Sequence, residues 1–295
     1  IFFVLSGFLI GRILILDLLD LDRIRWRKFL IRRSFRIFPA YYLVLLSSLF
    51  VVAPTQPGLI KFLYLGASWD KLASGAWTNF VYLNNYLLDP AEPNILSWGW
   101  SLCVEEHFYA VLPPFLWLVF RTSSRAGRLL LLSGGIMLPV LFRTLAFVRD
   151  PELKILDGLY YHSHNRFDEI FVGVVIAYCS VAYADWLRDS VRRARHWIPT
   201  LGIVFISIVW IAGGLHKQGG FVVIGQFLLM ALGSGLLLLN GLYLDNRVSR
   251  FFAHRAWYPL ARTSYGTYLL HPFDMFGMNT DFHGPYAPAT MGHGG

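Results

Sequence analysis

The chain has 295 residues, 56% of them hydrophobic and only 15% charged, with a mean hydropathy of +0.50. Soluble domains carry about 25% charged residues, so the composition excludes an ordinary soluble enzyme and points to a polytopic membrane protein. The formal net charge of +8 does not mark a nucleic-acid surface, because the basic residues cluster in loops between apolar runs.

Those runs cover 1–16, 39–53, 100–120, 129–148, 167–184, 197–213 and 220–244, and another starts near 263. Basic loops follow alternate runs: Arg12 to Arg36, Arg121 to Arg128, Arg188 to Arg195, and Arg247 to Arg262. Placing all four in the cytoplasm satisfies the positive-inside rule at every span. The stretch 55–97 must then cross an even number of times, as a short hairpin or a re-entrant pair. The predicted fold class is all-α, a transmembrane helix bundle of about 8–10 spans or part-spans. One membrane domain is expected over 1–280, with a tail of unassigned status over 281–295. The chain opens inside an apolar run, IFFVLSGFLI, and its last span dissolves into a Gly- and His-rich tail. It is therefore expected to be a piece of a longer protein.

The first polar stretch is RWRKFLIRRSFRIFP, residues 25–39. As a helix it sets Arg25, Lys28, Arg32 and Arg36 on one stripe before a span that begins at Pro39. Two readings fit: a stop-transfer cluster attracting anionic headgroups, or guanidinium forks that hold a phosphate ester.

The second is SWGWSLCVEEHFY, residues 97–109, at the mouth of a span. Spacings of three and four align Trp98, Ser101, Glu105 and Tyr109 on one face, with Glu106 turned away by about 100°. An ionised carboxylate inside a bilayer costs about 2.5–3.5 kcal/mol on insertion scales, which makes Glu105 a functional candidate. Glu106 reads as an interfacial charge in headgroup water. Cys103 and Cys179 read as small buried apolar residues, with no metal or disulfide spacing.

The third is YYHSHNRFDE, residues 160–169. At a spacing of two, Arg166 and Asp168 cannot face each other across a helix, so each is expected to meet another helix or a polar substrate. His162 and His164 form an H-x-H pair without a third ligand, so no metal is expected. The last is SYGTYLLHP, residues 264–272, whose His271 reads as a helix-packing hydrogen bonder.

Five motifs occur in order: IFFVLSGFLI, RRSFRIFPAYY, SLCVEEHFY with Trp98 and Trp100 before it, HNRFDEIFVGVVIAY and SYGTYLLHP. Together they resemble the acyltransferase 3 family of multi-spanning membrane acyltransferases, which includes O-antigen and peptidoglycan O-acetylases. The resemblance runs from residue 1 to about residue 275. It implies transfer of an acyl group, commonly acetyl, from cytoplasmic acyl-CoA to a hydroxyl of a glycan, lipid-linked sugar or similar acceptor. Acyl-CoA would be a co-substrate, with no tightly bound cofactor, and the protein would be a multi-pass protein of the inner or plasma membrane. By the same resemblance, Arg32, Arg33 and Arg36 match the arginine motif and would face CoA phosphates. Glu105 matches the family's carboxylate, which would orient a histidine. Arg166, Asp168 and His164 match the outer polar motif and would shape the acceptor or acyl site. Ser6 and Gly7 match an SGF turn, and Tyr265 and His271 match the last motif.

One departure stands out. The family's catalytic histidine lies in a first span upstream of FFVLSGF, and that span is absent from this chain. The sequence as given is therefore expected to be inactive while the full-length protein is an enzyme; turnover by this chain alone would overturn that assignment of the base and make His107 or His164 the substitute to examine. The chief alternative is a transporter that uses Glu105, Arg166 and Asp168 as a polar pathway. Against it, the sequence has no internal repeat and no paired broken helices. An inactive paralogue that only binds a partner is a third possibility.

Overall fold

The computed structural model describes residues 1–52, 69–87, 94–153, 156, 159–214 and 219–278, and every regular element among them is helical. In chain order these are α1 (Phe2–Leu21), α2 (Trp26–Ser47, continued by a π turn to Val52), and the short α3 (Trp69–Gly75), α4 (Trp77–Phe80) and α5 (Asn84–Leu87). Then come α6 (Trp100–Phe120), α7 (Arg125–Arg149), α8 (Phe167–Ala182), α9 (Ala184–Arg193) and α10 (Trp197–Ala212). A π turn over Phe221–Gly225 leads into α11 (Gln226–Tyr243), followed by α12 (Arg247–Phe252) and α13 (Trp257–Met278).

Among the described residues five helices are long and apolar enough to cross a bilayer: α1, α2, α6, α7 and α11, counting the turns that extend them. α8 and α9 form a pair bent by 110° that would make a sixth, and α10 is a shorter apolar helix. The expected runs thus map onto helices, though not all onto full spans. The third basic loop is itself partly helical. In α9, Leu187 and Val191 are buried while Arg188, Arg192 and Arg193 are exposed, so this helix suits the interface rather than the bilayer core. Much of the hairpin expected over 55–97 lies outside the described residues.

Pro39 does not begin a span. It sits inside α2, which unites the arginine motif and the apolar segment in one rod. With its π turn this helix has 27 residues, about 40 Å at 1.5 Å per residue, against about 30 Å of hydrocarbon. Its arginine-bearing turns therefore extend into the headgroup layer.

The tightest packing joins α1 to α8. Within a bilayer, helices gain little from hydrophobic association, and small residues that let backbones touch take over that role. A β-carbon on Gly7 would fall 2.0 Å from the Ile170 carbonyl oxygen, and one on Gly173 would fall 2.0 Å from that of Val4. Gly7 is therefore part of a helix crossing, not of a turn. Phe8, Ile10 and Leu14 of α1, Phe108 and Leu112 of α6, and Phe171 and Val174 of α8 fill the main core. A second core gathers Tyr41, Leu72, Tyr82, Leu102 and Leu269 around the start of α6. Cys103, buried there, donates its thiol to Asn84 Oδ1 at 2.6 Å.

Candidate active site

Glu105 is only 3% exposed. Its Oε2 accepts a 2.9 Å hydrogen bond from the Tyr109 hydroxyl, one turn along α6. That hydroxyl lies 3.3 Å from Ser6 Oγ of α1. Because Tyr109 donates to the carboxylate, Ser6 must donate to Tyr109, and the chain Ser6, Tyr109, Glu105 ties α1 to α6. From α2, Phe29 packs edge-on against the Tyr109 ring, and the Arg33 guanidinium lies 5.6 Å from its centroid. Arg33 and Arg36 both act electrostatically on Glu105. Glu105 Oε1 is buried and has no partner, a deficit that costs about 1–3 kcal/mol in a folded interior.

The stripe expected from spacing does not stay together. Ser101 Oγ lies 2.7 Å from Tyr268 Oη, and Trp98 Nε1 donates to the Leu269 carbonyl at 3.3 Å, so both face α13. Trp98 lies in the 3-10 turn before α6, and from Ser101 two four-residue steps, each overshooting a full circle by about 40°, turn Tyr109 by about 80° onto α1. Tyr268 also donates to the Trp98 carbonyl, His271 Nδ1 lies 2.7 Å from the Tyr268 carbonyl oxygen, and Tyr265 donates to that of Ile37 at 2.9 Å. The last motif therefore docks α13 onto α2 and the start of α6. Glu106, expected in headgroup water, is half-buried in the protein, with its Oε1 buried and without a partner.

The arginine stripe also divides. Arg25 leaves it to bind Asp17 of α1, with Nη2 and Nε at 2.5 and 3.0 Å from Oδ1 and its backbone N–H at 3.2 Å from Oδ2. That carboxylate raises the Arg25 pKa above its ordinary value and pins the turn between α1 and α2. Arg32 and Arg36 are exposed, and Arg33 is half-buried against the carboxylate site.

A second polar cluster also lies beside the first turns of α6. Arg166 does not reach another helix for its carboxylate: its Nε and Nη2 lie 2.8 and 2.7 Å from Glu169 Oε2, three residues on. Its guanidinium is caged by the rings of Phe227, Tyr160, Trp100 and Phe3, with centroids at 3.9, 4.8, 5.4 and 5.6 Å. Its Nη1 is buried and unpaired. Asp168 does find another helix. Its Oδ2 accepts from Arg143 Nη2 of α7 at 2.6 Å, and both side chains are wholly buried. Arg143 also donates to the Asn165 carbonyl, and to that of Ile224 in the π turn at 3.2 and 3.0 Å. One guanidinium thus fastens together α7, the start of α8 and the approach to α11.

Beside this cluster the rings of Tyr86, His162 and His164 lie nearly parallel, with centroids 4.9 to 5.7 Å apart. Tyr86 Oη and His164 Nδ1 are 2.9 Å apart, and the His164 backbone N–H donates to the same hydroxyl. Burial holds the pKa of both histidines below the ordinary value, with each other's charge a further cause at His164.

A family model for an acyltransferase domain, acyltransferase 3, matches residues 1–291. The chain belongs to the acyltransferase 3 family. Over 281 residues it is 26% identical to the peptidoglycan O-acetyltransferase OatA of Listeria monocytogenes, covering 92% of this chain and 43% of that protein. It is also 26% identical over 280 residues to YrhL of Bacillus subtilis, provisionally named a peptidoglycan O-acetyltransferase, with the same coverage. A provisionally named O-acetyltransferase of Staphylococcus aureus is 20% identical over 283 residues, 92% of this chain and 44% of that protein. The chain thus spans less than half the length of the curated relatives it matches. No solved structure matches it.

For this acyltransferase 3 chain, the structure brings Ser6, Arg33, Glu105 and Tyr109 together and sets Arg166, Asp168 and His164 in a separate cluster. Sequence reasoning missed Arg143, although a lone arginine inside the apolar run 129–148 is itself the signal of a paired or functional charge. It also missed Glu169 and Asn85, which gain their meaning only from tertiary contacts.

Proposed function

We propose that the chain forms the membrane core of an O-acyltransferase that moves an acyl group, commonly acetyl, from cytoplasmic acyl-CoA to a hydroxyl of a peptidoglycan-type glycan. Its place would be the inner or plasma membrane. The relatives' names support the reaction class. The observation that carries the reading is the buried Glu105, bonded through Tyr109 towards Ser6 and reached by Arg33 from the basic end of α2. A thioester donor needs anion-binding groups at one end and proton-transfer groups beyond it. Arg32 and Arg36, exposed in the headgroup layer, bind the CoA phosphates, and Arg33 bridges from them to the carboxylate. The unpaired Glu105 Oε1 orients a histidine through its ring N–H, as the family resemblance implies for the span upstream of FFVLSGF. Arg166, caged and with a free Nη1, and His164 face the acyl or acceptor group. Asp168 acts through Arg143 to hold that cluster in place.

The test uses the full-length protein in liposomes with labelled acetyl-CoA and glycan. Glu105→Gln should lower turnover about 10²- to 10⁴-fold, the span of acid–base contributions, while acyl-CoA binding persists. Arg33→Ala should weaken that binding. A wild type that neither binds acyl-CoA nor acylates a glycan would overturn the reading.

A further inference from the structure

Residue Ser163 belongs to neither carboxylate site, yet it has the surroundings of an activated nucleophile. Its Oγ lies 2.7 Å from His107 Nδ1, a side chain on α6 two positions beyond Glu105. Asn85 Nδ2 donates to the same Oγ at 3.0 Å and to the Tyr161 carbonyl at 3.0 Å. The Asn85 N–H occupies one lone pair of that oxygen, and in the tautomer with the imidazole proton on Nε2 the Ser163 hydroxyl donates to His107 Nδ1. The His107 ring also meets the backbone of Tyr82. Tyr82 has φ of 56°, a left-handed conformation that is costly for a bulky residue and collects at functional sites. Nucleophile, base and a third group that fixes the base are the parts of an activated serine.

Position adds to this. Ser163 sits in the turn before α8, and α8 runs from there to the basic α9, so Ser163 lies at the end of the bundle remote from that basic helix. A donor taken up at the basic end and an acceptor at the other need a group that holds the acyl between them. Ser163 is 1% exposed, while its neighbours Tyr86 and His107 are exposed and half-buried. An ester there would be screened from water while lying one side chain below the surface.

We propose that Ser163 is a transient acyl carrier with His107 as its general base. The proposal rests on the O-acyl-transfer reading above. In the first half-reaction Ser163 Oγ attacks the acyl carbonyl of the thioester and its proton passes to His107 Nδ1. The new C–O bond forms, the C–S bond breaks, and the departing thiolate takes the proton. In the second, an acceptor hydroxyl attacks the acyl-serine ester, its proton passes to His107, and Ser163 Oγ leaves and recovers that proton. No oxidant, reductant or further reactant is needed.

The test gives full-length protein in liposomes labelled acetyl-CoA without acceptor, quenches in acid and maps the label by mass spectrometry. Label is expected on Ser163, discharged when glycan is added. Ser163→Ala should lose the label and cut turnover at least 10²-fold, and His107→Gln should slow labelling about 10²- to 10⁴-fold. Ser163→Cys should retain label as a hydroxylamine-labile thioester, an outcome that a purely structural serine would not produce. Turnover by wild type with Ser163 unlabelled would overturn the carrier and leave the acyltransferase reading intact. Absence of any acyl-CoA-dependent turnover would sink both. The mapping on wild type does not depend on whether a variant folds.

Discussion

Replacing Arg143 with Met, Asp168 with Leu, or both, tests how the cluster around Arg166 is held. The two side chains are wholly buried and 2.6 Å apart. Removing one partner of a buried pair leaves an uncompensated charge and costs about 3–5 kcal/mol, whereas replacing both by apolar groups of similar volume is often close to neutral. Here the double variant should not be neutral. Arg143 also serves the carbonyls of Asn165 and Ile224, and each loses a partner at about 1–3 kcal/mol. By these figures Asp168→Leu should cost about 3–5 kcal/mol, Arg143→Met about 5–11, and the double variant only the two lost carbonyl partners, about 2–6, although independent losses would sum to about 8–16. Reversible unfolding in mixed micelles, followed by tryptophan fluorescence, measures the four corners of this cycle. Additivity within about 0.5 kcal/mol would refute the pairing. Turnover is the second readout. If Asp168 only positions its neighbours through Arg143, Asp168→Asn, which keeps a hydrogen-bond acceptor, should alter kcat far less than Glu105→Gln. An equal loss would return Asp168 to the reacting groups.

The helix crossing makes a sharper steric prediction. Gly173→Ala would place a methyl 2.0 Å from the Val4 carbonyl oxygen and should destabilise by about 1–3 kcal/mol or more. Gly134→Ala, where nothing lies within 4 Å, should stabilise by about 0.5–1 kcal/mol through helix propensity; similar thermal shifts in the two would refute the crossing. The histidine pair sets a pH dependence. Burial holds both folded pKa values below the unfolded value of about 6.5, so the unfolded chain binds protons first. Stability should be full above that value and fall as pH drops through it towards the folded pKa values. Unfolding between about pH 7.5 and pH 5 should show this slope, and the His162→Gln, His164→Gln double variant should flatten it; an unchanged slope would show that these rings do not titrate on unfolding.

Helix class and approximate spans were legible in the sequence because burial in lipid writes itself as long apolar runs, and the basic loops punctuate them. The family was legible too, since five motifs in order survive at low identity. Glu105 stood out because a carboxylate placed inside such a run has a cost that its position in the sequence reveals. The partners did not stand out. Spacing predicted one stripe through Trp98, Ser101, Glu105 and Tyr109, but Trp98 lies in the turn before α6 and meets α13 with Ser101, while Tyr109, about 12 Å further along the axis than Ser101, meets α1. Spacing likewise put Arg25 beside Arg32, and only the fold shows Asp17 claiming it. The pairing of Arg143 with Asp168 joins residues 25 apart, and the meeting of His107 with Ser163 joins residues 56 apart. A local period cannot encode either. The sequence by itself determined which segments are apolar enough to enter a membrane and which polar groups go with them. Only the tertiary structure decided which of those groups touch, because a buried polar atom takes whatever partner the neighbouring helix presents.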